Sequence, residues 1–181
     1  MVIFCNGDLS VRRLEREDAP LLVRWLSDPA VLEYYGGRDC PHDMEKVQAE
    51  FYSREEEEIH RGIVQFKGRD IGYIQFYPVG SEEKDVYGYA DYTGRIYGMD
   101  QFIGEPQLWN QGIGSLLVGG MVQHLVEVEQ ADLIVMDPQC RNHRALRVYE
   151  KNGFVRGKLL PEREWHEGER RDCWLLSYTP T

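Results

Sequence analysis

The sequence predicts an α/β domain built on one mixed sheet, and three observations predict it. Leu133-Ile134-Val135-Met136 is apolar on both faces and directly follows a helical pattern, as the second parallel strand of a βαβ unit does. Runs 61–67 and 71–79 flank the turn residues Gly68-Arg69-Asp70, as the arms of an antiparallel hairpin do. Ile113, Leu117, Met121, Leu125 and Val128 fall on one face of a long helix between strand 95–103 and the run at 133.

The elements follow in order. Leu9-Ser10-Val11-Arg12-Arg13-Leu14 alternates as a first strand. Asp18-Ala19-Pro20 is a helix start, and Leu21, Leu22, Trp25 and Leu26 then recur at helical spacing. Asp28-Pro29 opens a short turn toward Tyr34-Tyr35, which Gly36-Gly37 ends. A second helical region runs from Asp43 to about residue 59, and its acidic run 55–58 reads as a solvated face. Residues 81–91 are polar and read as a loop with part of a strand. Asn142 to Asn152 forms a helix that Gly153 stops as a left-handed cap. Strands 154–160 and 172–178 close the chain around a long charged connection, 161–171. The predicted order is β-α-α-β-β-β-α-β-α-β-β, one domain over residues 1–181.

Composition narrows the function. Hydrophobic residues make up 42% of the 181, enough for a packed core. No apolar run approaches the ~18 residues of a membrane span. The first residues lack a basic segment followed by an apolar core, so no secretion signal is expected. Cys5, Cys40, Cys140 and Cys173 form no C-x-x-C pair and the histidines no ligand spacing, so neither a metal site nor a disulfide framework is expected. His166-Glu167 starts like a zincin motif but lacks the second His. Free thiols fit a cytoplasmic protein. The net charge is −10, yet residues 139–158 hold Arg141, Arg144, Arg147, Lys151, Arg156 and Lys158 against Glu150 alone. The acidic remainder disfavours nucleic acid and anionic membranes as partners. It suits a cationic small molecule, or merely solubility.

Two motifs carry chemistry. Gln111-Gly112-Ile113-Gly114-Ser115 joins a strand to a helix, where free N–H groups and the positive end of the dipole can cradle phosphate. Tight packing of a strand–helix corner is the plain alternative. In Asn142–Phe154, Asn142 and Tyr149 are nearly two turns apart and share a helix face with Ala145 and Leu146 between them. The basic residues then fall on the opposite side, supplying a field rather than phosphate contacts. Asp100 interrupts an apolar strand, so it is either ion-paired structurally or functional.

These motifs together resemble the GCN5-related N-acetyltransferase (GNAT) superfamily, over essentially the whole chain. Tyr97-Gly98-Met99-Asp100-Gln101, Trp25-Leu26 and Tyr34-Tyr35-Gly36-Gly37 are similar to segments of bacterial aminoglycoside 6′-N-acetyltransferases. One departure is Trp109, at a place where the superfamily usually has Gln or Arg. The resemblance implies acetyl-coenzyme A as co-substrate, an aminoglycoside as acceptor and direct transfer in a ternary complex, in a monomer or weak dimer. It implies that Gln101, Phe102 and Ile103 pair their backbone with the pantetheine arm. It implies that the amides of Gln111, Gly112, Ile113, Gly114 and Ser115 hold the pyrophosphate. Asn142 and Ala145 would contact the cofactor, Tyr149 would protonate the thiolate, and Asp100 would take the proton of the amine. A backbone N–H near Gln101 or Phe102 would stabilise the carbonyl oxygen. Tyr35, Asp85, Asp137 and Asp172 would hold the acceptor beside Asp100, with Trp25 and Tyr87 less fitting. The same residues are compatible with a protein N-terminal acetyltransferase of the ribosomal-protein type, or with a non-catalytic acyl-coenzyme A sensor.

Overall fold

The computed structural model describes residues 1–54 and 58–181. Part of the acidic run 55–58 therefore lies outside the described residues. Eight strands form one sheet: β1 (Val2–Asn6), β2 (Leu9–Arg13), β3 (His60–Phe66), β4 (Arg69–Pro78), β5 (Ile96–Ile103), β6 (Leu133–Met136), β7 (Val155–His166) and β8 (Glu169–Tyr178). Their order across the sheet is β1-β2-β3-β4-β5-β6-β8-β7. Only β5 and β6 are parallel, with Ile96, Tyr97 and Gly98 opposite Leu133, Ile134 and Val135. The crossover between them is α5 (Ile113–Glu127), as the βαβ reading requires.

The other helices are α1 (Ala19–Trp25), α2 (Pro29–Leu32), α3 (Met44–Phe51), α4 (Ser81–Tyr87) and α6 (His143–Lys151). On one face of the sheet Leu117, Met121 and Leu125 of α5 pack with Val11, Ile74, Met99 and Leu146. On the other, Leu22 and Trp25 of α1 and Val47 of α3 pack with Tyr73 and Phe102. Asp43 caps α3 by accepting from the Lys46 N–H (2.8 Å), and the helix ends at Phe51, well before residue 59. Gly153 has φ 92°, the left-handed stop expected after α6.

Three further elements differ from expectation. β1 precedes the strand expected first and pairs with it across the turn Gly7-Asp8, a hairpin signal hidden in a short terminal run. Residues 81–87 are helical because Glu82 and Glu83 in the first turn suit the dipole and Gly88 (φ 83°) closes the last. The charged connection 161–171 is instead the continuation of a β7–β8 hairpin that turns at Glu167-Gly168 (φ 51° and 78°). Its register breaks between Leu160 and Glu164, where Pro161 cannot donate to the ladder.

Asp18 is a buried carboxylate that ties α1 to the sheet. It accepts two Arg12 N–H bonds of 2.8 Å and the Glu15 N–H at 2.8 Å. Burial pushes its pKa up, but Arg12 and the Glu15 N–H outweigh that and hold it below 3.8. A carboxyl lowered in the folded state stabilises above its unfolded value and loses that contribution as pH falls through the folded one. Asp18→Asn is expected to lose about 2 kcal/mol at pH 7 in urea unfolding. The gap to the parent protein should close below pH 3.8.

Candidate active site

The parallel pairing stops at Gly98 and Val135, and beyond it β5 and β6 are no longer paired. Between their ends lies a cavity of about 430 Å³, lined by Met99, Asp100 and Gln101 of β5 and by Met136, Asp137, Pro138 and Gln139 of β6 and the residues after it. A second cavity of about 450 Å³ is the groove between the α5 corner and α6, lined by Ile103, Gly112, Gly114, Ser115, Ala145 and Val148 among others. Tyr34, Tyr35, Gln101, Asn142 and Tyr149 line both, so the cavity that holds Asp100 adjoins the groove that holds the glycine corner.

Asp100 has no ion pair among the described residues. Its Oδ2 accepts from Gln75 Nε2 (3.0 Å) and Tyr77 O–H (2.9 Å). Burial raises its pKa, those two donors lower it, and the Asp137 charge adds to the rise; the net direction is upward. A carboxylate of raised basicity in a cleft suits proton acceptance. Tyr149 sits beside it, its oxygen accepting from Gln101 Nε2 at 2.7 Å, which leaves the phenolic proton to be given elsewhere. Burial and the Asp100 charge push the Tyr149 pKa well up, so the phenol stays protonated.

The β5 backbone alternates in direction. Gly104 donates to Ile71 and Ile96 accepts from Val79, so Ile96, Gly98, Asp100 and Phe102 face β4. Gln101 and Ile103 therefore turn their backbone groups to the open cleft. Phe102 lines the groove, but its N–H and C=O belong to the β4 ladder, which corrects the expectation that its backbone pairs with a ligand or aids a carbonyl oxygen. The Ile103 carbonyl is taken by Trp109 Nε1 (2.9 Å).

The glycines of the corner are not packed against the protein. A Cβ on Gly112 would meet nothing within 4 Å, and one on Gly114 only Val148 Cγ1 at 4.0 Å. At Gly104 a Cβ would lie 2.2 Å from Trp25. Gly112 sits in the left-handed region (φ 82°), which favours glycine, Gly114 borders open space in the groove, and Gly104 makes room for the protein itself. Asn110 lines the groove in place of Gln111, which is exposed and bonds to the Gln107 carbonyl (2.8 Å). The Ile113 side chain is core, and Ser115 Oγ accepts from Asn152 Nδ2 (3.0 Å). Arg144, Arg147 and Lys151 line the groove, contrary to the expectation that they lie opposite it. Trp109 stacks under Arg144, whose guanidinium is 3.9 Å from the ring centroid. Asn142 caps α6 through the Ala145 N–H (3.3 Å) and lines both cavities.

The acceptor-side expectations divide. Tyr35 lines both cavities, edge-on to Phe102 at 4.7 Å. Asp137 lines the first cavity, but its Oδ2 is held by Tyr87 O–H (2.9 Å) and Arg163 Nε (3.0 Å). Asp85 is exposed on α4 and lines neither cavity. Asp172 is exposed and accepts the Glu162 N–H (2.8 Å), pinning the irregular stretch of β7. Trp25 is core, bonded to Glu105 (3.1 Å). Sequence reasoning missed Arg163 and Glu164, which reach the cavity from β7, and the Gln75–Tyr77 pair that holds Asp100. Gln75 and Tyr77 could have been found as polar groups at alternate positions of a strand, whereas Arg163 and Glu164 lay in a charged run with no such pattern. Among the described residues no group of His, Cys, Asp and Glu could hold a metal.

A parallel strand pair that opens beside a glycine-edged helix corner is the arrangement of an N-acetyltransferase fold. The acetyltransferase (GNAT) domain family matches residues 15–161, and the chain belongs to that family. It is 28% identical over 153 residues to aminoglycoside N(6′)-acetyltransferase type 1 of Klebsiella pneumoniae, covering 83% of this chain and 76% of that one. AAC(6′)-Ib in complex with ribostamycin and coenzyme A superposes with a TM-score of 0.77 at 24% identity, over 95% of this chain and 93% of the other. Spermidine N-acetyltransferase from Vibrio cholerae, in complex with coenzyme A and spermine, gives a TM-score of 0.78 at 18% identity over 96% of each chain. No described helix is long and apolar enough to cross a membrane.

Proposed function

We propose that the protein transfers acetyl from acetyl-coenzyme A to the 6′-amine of aminoglycosides, directly and without an acyl-enzyme, and so confers resistance to them. The observation that carries this reading is the meeting of a basic, glycine-edged groove and an acid-bearing cavity at Gln101 and Tyr149. Acetyl-coenzyme A supplies an acetyl group activated as a thioester. Gly112, Gly114 and the neighbouring amides hold its phosphates, with Arg144, Arg147 and Lys151 adding positive charge. Gln101 and Ile103 offer backbone groups to the arm as an added strand would. Asp100 takes a proton from the acceptor ammonium, since a protonated amine is no nucleophile. The Gln101 N–H stabilises charge on the carbonyl oxygen. Tyr149, held in place by Gln101 Nε2, gives its proton to the departing sulfur, and its oxygen recovers a proton when the attacking nitrogen sheds its second one to become the amide. Tyr35 and Asp137 line the acceptor side.

Free-thiol release from acetyl-coenzyme A with kanamycin tests the reading, and NMR of the product locates the acetyl group. No release with any aminoglycoside would overturn it. Acetylation of a peptide N-terminus instead would favour the protein-modifying reading. Tyr149→Phe is expected to lower kcat about 100-fold with the KM for acetyl-coenzyme A little changed, as loss of a transition-state donor does. Steady-state kinetics at saturating acceptor check this.

A further inference from the structure

Asp137 lies in the cavity but is not free to receive a ligand. Arg163 reaches it from β7 with Nε at 3.0 Å and also binds Glu83 on α4 through Nη2. Tyr87 completes the group: its hydroxyl binds the same Asp137 oxygen, and the guanidinium carbon lies 5.5 Å from its ring centroid. Arg163 lines the acceptor cavity and a smaller chamber of about 270 Å³ behind it. The Arg163 side chain is 26% exposed, so the pair is open to exchange with a solute.

We propose that Arg163 is a specificity-determining residue: its guanidinium stands where a second ammonium of the acceptor binds, on Asp137, and moves fully onto Glu83 when a polycation enters. The inference rests on the amine-acceptor reading of the cavity given above. Its physical basis is exchange of like charge. An ammonium arriving at Asp137 replaces one cation by another, so the carboxylate is never left bare. The displaced guanidinium already has Glu83 as partner, so it is not stranded either. An acceptor with one amine engages Asp100 and never contests the Asp137 position. Arg163 thus selects by competition, as a built-in rival for the ligand.

The test is calorimetric titration of the coenzyme A–loaded protein with two probes, kanamycin and the single-amine sugar 6-amino-6-deoxyglucose. Arg163→Gln is expected to tighten kanamycin about tenfold, because the rival cation is gone, and to leave the single-amine sugar within about twofold. Arg163→Lys, which keeps the charge, should stay near the parent protein. Glu83→Gln keeps the Asp137 pair but removes the second partner, and should weaken kanamycin severalfold; it serves if Arg163→Gln does not fold. Kanamycin binding that is unchanged or weaker in Arg163→Gln would overturn the proposal. So would equal shifts for both sugars, or no kanamycin binding to any form. The selective pattern without acetyl transfer would sink only the enzymatic reading. Transfer without the pattern would sink only the role of Arg163.

Discussion

Asp100→Asn is expected to lower kcat/KM for an aminoglycoside about 10²–10⁴-fold while leaving the protein as stable as before or more so. The two effects have one origin. Burial raises the Asp100 pKa above 3.8 despite the donors Gln75 and Tyr77. A carboxyl raised in the folded state is destabilising once ionised: the penalty builds as pH climbs from the unfolded value and is complete above the folded one. At neutral pH the parent protein carries that penalty, and the amide, which still accepts from Gln75 and Tyr77, does not. The same raised basicity lets Asp100 take a proton from an ammonium, which the amide cannot do. Thermal melts should show a midpoint at or above the parent's, and the kcat/KM pH profile of the parent should break above the ordinary carboxylate range. Unchanged turnover would remove Asp100 from proton transfer.

Gly114→Leu is expected to weaken acetyl-coenzyme A at least 100-fold, about 2.8 kcal/mol, with the fold intact. Gly114 is the second residue of α5, and a Cβ there would meet only Val148 Cγ1 at 4.0 Å, itself part of the groove wall. The larger side chain occupies the phosphate cradle, while exchanging Gly for Leu in a helix favours folding by up to about 1 kcal/mol. Gly104→Ala provides the contrast, because its Cβ would sit 2.2 Å from the Trp25 ring. That change should lower the melting temperature through the α1 core instead of acting on binding alone. Fluorescence or calorimetric titration with coenzyme A, beside melts of both variants, separates the two cases. Undiminished affinity in Gly114→Leu would mean that the corner packs and does not bind.

Much of the site was legible because it obeys local rules. The Gly-x-Gly corner, the Asn142–Tyr149 spacing and the acid in β5 each break or satisfy a pattern within a dozen residues. The failures have a common form. Asp85 and Asp172 carry the right charge but are exposed on a helix and on the inner strand of a hairpin, and a charge says nothing of the direction in which it points. Phe102 was grouped with Gln101 and Ile103, yet strand alternation turns its backbone toward β4. The basic side chains of α6 were assigned to the back of the helix, whereas Arg144, Arg147 and Lys151 reach the groove, since long side chains extend past the face on which they start.

The sequence by itself determined the mixed sheet, the parallel βαβ unit and the glycine corner at its helix start, because periodicity, caps and glycines act through neighbours in the chain. Only the tertiary structure decided that β5 and β6 cease to pair after Gly98, that Gln75 and Tyr77 grip Asp100, and that Arg163 neutralises Asp137. Those contacts join residues 23 to 26 positions apart or more, and their geometry depends on how strands from separate hairpins are laid side by side. Local pattern carries no information about that arrangement, which burial of the shared core selects.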